Sequence, residues 1–379
     1  MRSQSVWSSI ALSACLLALP IAVPAQTDPP TLLPSQEIFG PPAPAGGAFG
    51  VTVAIDGRDL ITARSDFTAH AYERDGTGSW RYTGEIPAPE ANVLAFGFVV
   101  DIDDGFALIH GLSSSQAGFA GKVFVFRRTA SGWRHQQTLT PPGRQLDTFG
   151  RQIALQGRTA IIGSGPDEVY AFRRRDDGRF VFRQTLRPST VAGEGFADSI
   201  ALDGDVALIG TSNTNNGAGS AFVFRRVNGV WRERQELVAS DAQEQARFGG
   251  SVALNGSTAV IGALSQPPFG QAYVFRLAAG HWFEQQRIAN DRPDTLFGLA
   301  IEMIGERRVA ITQEFFGETN ESTIRLFERR DGNWSLAAVL SADPLAGGIR
   351  ALDSFGDTLA ASDPIGEPQR VFVYELDAD

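Results

Sequence analysis

The dipeptide Phe-Gly returns along this chain at a nearly constant interval, at Phe49, Phe96, Phe149, Phe248 and Phe297. Phe196-Ala197 fills the gap in the series, and Ala346-Gly347 is a worn seventh copy. The spacings are 47, 53, 47, 52, 49 and 49 residues. A unit this short cannot bury an apolar face alone, so successive copies must pack on one another.

Each copy has the same internal order. Two apolar runs flank a two-residue turn, as in Ser199-Ile200-Ala201-Leu202-Asp203-Gly204-Asp205-Val206-Ala207-Leu208-Ile209-Gly210. Asp56-Gly57, Gln156-Gly157 and Asn255-Gly256 hold the same place. Such pairs accept the left-handed backbone of a tight hairpin. The runs are apolar almost throughout, which predicts strands covered on both faces. A third run alternates aromatics, as in Val123-Phe124-Val125-Phe126 and Ala272-Tyr273-Val274-Phe275. A fourth opens at Trp80, Trp133, Phe180, Trp231, Trp282 or Trp334 and closes on a Gln-x-Leu pattern such as Gln184-Thr185-Leu186.

Four short strands per repeat with no room for a helix make a propeller blade. The fold class is all-β, a seven-bladed β-propeller of four-stranded blades starting near residues 49, 96, 149, 196, 248, 297 and 346. The seventh copy stops after its third run, Val371-Phe372-Val373-Tyr374. Glu37-Ile38-Phe39 stands as far before Phe49 as Gln137-Thr138-Leu139 stands before Phe149. An N-terminal strand is therefore expected to complete blade seven and leave no open edge. The propeller spans 37–379, behind a short proline-rich flexible lead at 26–36.

Residues 1–25 read as a signal peptide: Arg2, an apolar run from Ile10 to Val23, and small residues at Val23-Pro24-Ala25. Leu12-Ser13-Ala14-Cys15 resembles a lipoprotein box with Cys15 as the lipidated residue, but apolar residues continue past Cys15, which favours ordinary cleavage. Cleavage after Ala25 removes Cys15, the single cysteine, so disulfides are not expected. The expected location is periplasmic, cell-surface or secreted. No later segment is long and apolar enough to span a membrane. The net charge of −10 speaks against nucleic acid as a partner.

The Phe-Gly start, the Ala-Leu-Ile-Gly-Ala type second strand and the Gly-x-Ala-Tyr-Val-Phe third strand resemble the FG-GAP repeat. The clearest copy runs from Phe248-Gly249-Gly250-Ser251 to Val260-Ile261-Gly262-Ala263. The resemblance covers essentially all of 37–379. It implies the propeller of integrin α subunits and of bacterial exported proteins, and a role in adhesion or ligand binding. Many members of that family carry a calcium loop between the first two strands. Here that link has shrunk to a two-residue turn, too few oxygens for calcium. Its most acidic version is Asp101-Ile102-Asp103-Asp104-Gly105. No cofactor and no metal are expected, and the chain resembles a calcium-free bacterial variety.

Catalytic signatures are sparse. His70, His110, His135 and His281 lack metal-ligand spacing and read as surface or half-buried residues. No Gly-x-Ser-x-Gly elbow is present. The turns Arg175-Asp176-Asp177-Gly178 and Arg330-Asp331-Gly332 faintly resemble the Asp-box of sialidases but lack its Ser-x-Asp lead. No catalytic residue is assigned, and the chain is read as a non-enzyme. The loops joining second to third strands vary most: Gly111–Gly121, Thr211–Ser220, Ala263–Gly270 and Gln313–Ser322. Variable loops on a rigid frame are the usual place for function. Phe119, Asn213, Asn215, Phe269, Phe315 and Phe316 are the candidate ligand-binding residues. The expected function is an exported, monomeric binding module for a protein or glycan. The alternatives are a carbohydrate hydrolase and a structural part of an envelope assembly. Carboxylates gathered at the central channel would favour the hydrolase.

Overall fold

The computed structural model describes residues 29–41, 47–115, 118–143, 146–164, 168–190, 195–267, 269–290, 292, 295–315, 322–341, 348–366 and 368–376. The signal segment with Cys15, the start of the lead and the seventh repeat start at 346 lie outside them.

Seven antiparallel sheets follow one another along the chain. Blade four shows the unit: Ser199–Asp203, Val206–Thr211, Ser220–Val227 and Val230–Leu237 pair in sequence order. The two-residue turns form where Asp-Gly and its relatives stand, with φ of 56° at Gly204 and 57° at Gly256. The outermost strand bulges once against its neighbour in each of blades one to six.

Apolar clusters lie between blades. Leu208, Val223 and Leu237 of blade four pack with Phe248, Ile261 and Tyr273 of blade five. The repeat phenylalanine is the wedge in these seams. Phe149 and Phe248 are wholly buried, and each meets a third-strand tyrosine edge-on, at 5.8 Å for Phe149–Tyr170 and 5.4 Å for Phe248–Tyr273. The glycine after it is required twice over. Gly249 has φ of 87°, and a Cβ there would stand 2.2 Å from the Ser220 carbonyl oxygen.

The ring closes with the expected N-terminal strand, but one residue out of the expected register: Gln36, not Glu37, stands where Gln137 does. Gln36–Phe39 pairs antiparallel with Arg370–Glu375, Ile38 facing Val371. The lead differs from expectation. Far from hanging free, Thr31–Leu32 pairs in parallel with Val339 and Leu340 of blade six, and Val339 N–H donates to the Pro30 carbonyl at 2.9 Å. Two extended residues beside an exposed strand edge satisfy main-chain groups that would otherwise need water.

Blade two also departs from the four-strand plan. Its expected loop Gly111–Gly121 is largely paired strand: Phe106–Ser115 and Gly118–Thr129 continue as a hairpin, with Phe119 opposite Ser114. Val93–Leu94 adds a short fifth strand against Ser113 and Leu112. Period-two patterning is weak in Ser113-Ser114-Ser115, which hid the strand.

Candidate functional site

Two regions gather unusual side chains: the central channel and the face bearing the second-to-third-strand loops.

The innermost strands line a channel cavity of about 470 Å³. The hairpin register sets an equivalent position two residues before each turn. Alanine fills it in four blades, as Ala54, Ala154, Ala201 and Ala253. Acids fill it in the other three, as Asp101, Glu302 and Asp353. The small alanines leave the room that the three carboxyl groups occupy.

These carboxyls are tied to neighbouring blades. Asp101 Oδ2 accepts the Leu155 N–H at 2.6 Å, and Asp353 Oδ2 accepts the Ile55 N–H at 2.6 Å. Asp353 Oδ1 also accepts its neighbour Ser354 N–H at 2.9 Å. Glu302 Oε1 accepts the Ser354 hydroxyl at 2.8 Å. Nearer the turns, Asp103 accepts the Gly157 N–H, and Asp203 Oδ2 accepts the Gly256 N–H at 2.6 Å. Apart from the Asp353–Ser354 contact, each link joins one blade to the next, so these acids stitch the inner ring.

Burial raises all three acids above the usual carboxylate range. Asp353 is pushed up to about 7, by burial first, against its two main-chain hydrogen bonds. Asp101 rises well above its ordinary value through burial, then through the charge of Asp353. Glu302 does so for the same two reasons. A low-dielectric wall disfavours several like charges at once, so the cluster retains protons near neutrality. Among the described residues, no group of three or more His, Cys, Asp or Glu could hold a metal ion.

Glu302 and Asp353 escaped the sequence reading. The signal was present, since each interrupts an apolar strand at the alanine position. Reading it needed the turns aligned blade by blade. His70 and His110 differ from the surface or half-buried reading. Both are buried, and burial lowers each to about 4, leaving neutral rings at neutral pH.

The opposite end of the second strands carries the predicted loop residues. Phe119 is 55% exposed at the tip of the blade-two hairpin. Asn213 and Asn215 are exposed around the turn Thr214–Gly217, where Asn215 takes φ of 51° and its carbonyl accepts the Ala218 N–H at 3.1 Å. Asn215 borders a cavity of about 320 Å³ with Thr190, Glu236 and Val238. Phe269 is half-buried rather than exposed, and its carbonyl accepts the Asn290 side-chain amide at 2.8 Å. Phe315 ends a strand opposite Thr295; Phe316 lies outside the described residues. Strand alternation puts these loops at one end of the ring. Among the described residues, the candidates share no hydrogen bond or ring contact with one another.

A more compact apolar group lies on blades one and two. Leu94 pairs with Leu112, and Phe119 with Ser114 two residues along, so Leu94, Leu112 and Phe119 share one face of the extension. Leu94 is 42% exposed. Nearby in sequence, Phe98 packs on Phe67 of blade one with ring centroids 5.7 Å apart, and both are exposed. Phe67 holds φ of 71°, a backbone that a bulky residue adopts only under constraint.

Residues 231–275 match the family model of the FG-GAP repeat. They run from Trp231, in the outer strand of blade four, to Phe275, in the third strand of blade five, and so take in the Phe248 copy. The chain is a β-propeller that carries an FG-GAP repeat at residues 231–275. By structure it is similar to a chain of the crystal structure of the mitotic checkpoint complex, with 10% identity, a TM-score of 0.60, and 98% of this chain and 100% of that one covered. It is also similar to the WD40 β propeller domain of Doa1, with 12% identity, a TM-score of 0.56, and 90% and 95% covered. At such identities the likeness shows the fold alone. No curated protein matches the chain in sequence. Propeller fold and matched repeat together support an interaction module in general terms. No helix among its described residues is long and apolar enough to cross a membrane.

Proposed function

We propose that this FG-GAP propeller is an exported, non-enzymatic interaction module that grips a partner protein through the end of the ring bearing the second-to-third-strand loops. The observation that carries the reading is the apolar face of the blade-two extension, Leu94, Leu112 and Phe119. Exposed aromatic and aliphatic side chains on a rigid strand pair are the usual anchors of an interface. The exposed Phe67–Phe98 pair offers a second anchor on blades one and two. The reading is tested by comparing the protein with a Phe119→Ser, Leu94→Ser variant in pull-downs from envelope extracts. The variant should lose the partners that the unaltered protein retains while melting at the same temperature. A folded variant that keeps every partner overturns the reading.

Convergence of Asp101, Glu302 and Asp353 in one channel favours a second reading, a hydrolase acting on carbohydrate. A carboxyl raised to about 7 is the kind that serves as a general acid. Its test is hydrolysis of aryl glycosides by the protein, abolished in Asp353→Asn. Absence of turnover across a glycoside panel removes it.

A further inference from the structure

A second cavity, of about 350 Å³, opens at the seam where blade seven meets blade one. Its wall includes Phe39, Phe49, Arg64, Pro368 and Gln369. Arg64 ends the second strand of blade one and is only 6% exposed. A guanidinium so withdrawn from water needs its N–H groups satisfied, because an unpaired buried charge is among the costliest features a fold can hold. Here the requirement is poorly met. Nη2 donates to the Pro41 carbonyl at 2.5 Å. Nη1 stands 3.8 Å from Asp66 Oδ2, beyond hydrogen-bond reach. Nε has no partner.

Among the described residues, the surroundings add no second anion of comparable closeness. His70 is buried and neutral, depressed to about 4 by burial and then by the Arg64 charge itself. Glu37 is engaged by Arg370 at 3.1 Å. The Gln369 side-chain Oε1 accepts the Phe49 N–H at 2.8 Å. The other described wall residues are glycines and apolar side chains: Pro368, the buried Phe49 ring 5.9 Å from the Arg64 guanidinium carbon, and Phe39, 49% exposed.

We infer that this seam is a binding site for a carboxylate borne on an aromatic or aliphatic group, with Arg64 receiving the carboxylate and Phe39 and Pro368 flanking the apolar part. A planar guanidinium matches a carboxylate in two parallel hydrogen bonds, and an apolar wall suits the remainder of such a ligand. The two chain ends build the site together, since Phe39 belongs to the closing strand, Arg64 to blade one and Gln369 to blade seven. It stands whether or not the blade-two face binds a protein.

The test uses 3-phenylpropionate as the probe, with 3-phenylpropanamide and inorganic phosphate beside it, in calorimetric titration. The carboxylate should bind, and the neutral amide should bind about tenfold more weakly or worse, as loss of a charge-assisted pair requires. Phosphate, which lacks an apolar part, should also bind more weakly. Arg64→Gln should abolish the preference for carboxylate over amide. Phe39→Ala, a change on the exposed wall that spares the guanidinium, should weaken the carboxylate about threefold or more through lost apolar contact. It keeps the inference testable if Arg64→Gln does not fold. No binding of the carboxylate up to about 10 mM, a limit set by the affinity expected of so small a ligand, overturns the inference. Equal binding of the amide, or phosphate binding as tightly as the carboxylate, does the same.

Discussion

Gln184 of blade three holds Trp231 of blade four by both ends of its side-chain amide. Its Nε2 donates to the Trp231 carbonyl at 2.8 Å, and its Oε1 accepts the Trp231 N–H at 2.9 Å. The same clamp joins Gln36 to Trp80, Gln137 to Phe180, Gln235 to Trp282 and Gln286 to Trp334. It is the physical reason for the Gln-x-Leu ending of the fourth strand. Gly84 stands at the clamp position of blade one, and Trp133 beyond it is only half-buried, whereas the five clamped aromatics are buried. Ala338 stands there in blade six, where main-chain pairing of Thr31–Leu32 does the joining.

Replacing Gln184 by Leu leaves the Trp231 N–H and carbonyl unpaired in a closed seam. The expected loss is about 1–3 kcal/mol of stability, the cost of stranded buried polar groups. Gln184→Glu should cost more, since it removes the donor and brings a charge. Urea unfolding followed by tryptophan fluorescence measures both. A loss in Gln184→Leu indistinguishable from zero would show that water replaces the clamp freely.

Gly249→Ala should destabilise the seam between blades four and five by about 1–3 kcal/mol or more, from left-handed backbone strain and the clash with Ser220. Ala197 holds the equivalent position with φ of 73°. The reverse change, Ala197→Gly, should therefore stabilise by up to about 1 kcal/mol. Melting temperatures of the two variants should move in opposite directions.

Asp353, Asp101 and Glu302 make stability depend on pH in a defined sense. Their folded values lie above the unfolded ones, so the folded state binds more protons. The stability this supplies is full below the unfolded carboxylate range and is lost as pH rises through about 7, the Asp353 value. The protein should melt lower at pH 8 than at pH 5. Asp353→Asn should flatten that slope. A melting temperature that rises across this interval would contradict the folded-state protonation.

A chain beginning at Pro44 should melt several degrees below one beginning at Gln26. It lacks the strand Gln36–Phe39, the clamp from Gln36 to Trp80 and the pairing of Thr31–Leu32. Differential scanning calorimetry of the two would decide it. Coincident transitions would mean that the ring does not depend on its N-terminal closure.

Blade number, blade order and closure by the segment around Glu37–Phe39 were legible in the linear chain because they rest on local signals. Phe-Gly starts, two-residue turns and aromatic alternation each reflect contacts within one repeat or with the next. The candidate site was less legible. Phe119 was recognisable as a loop aromatic, but its strand partner Ser114 lay among serines with no period. Leu94, Phe67 and Phe98 carry no motif, and their exposure depends on what the neighbouring blade covers. Asp101, Glu302 and Asp353 are separated by some two hundred and fifty residues of chain from first to last. Only closure of the ring turns their shared register position into a shared channel, and only the burial that closure creates lifts their proton affinity. The sequence by itself determined a seven-fold repeat that must stack; the tertiary structure decided which side chains that stacking brings face to face, because inter-blade contacts are set by ring geometry and not by neighbours along the chain.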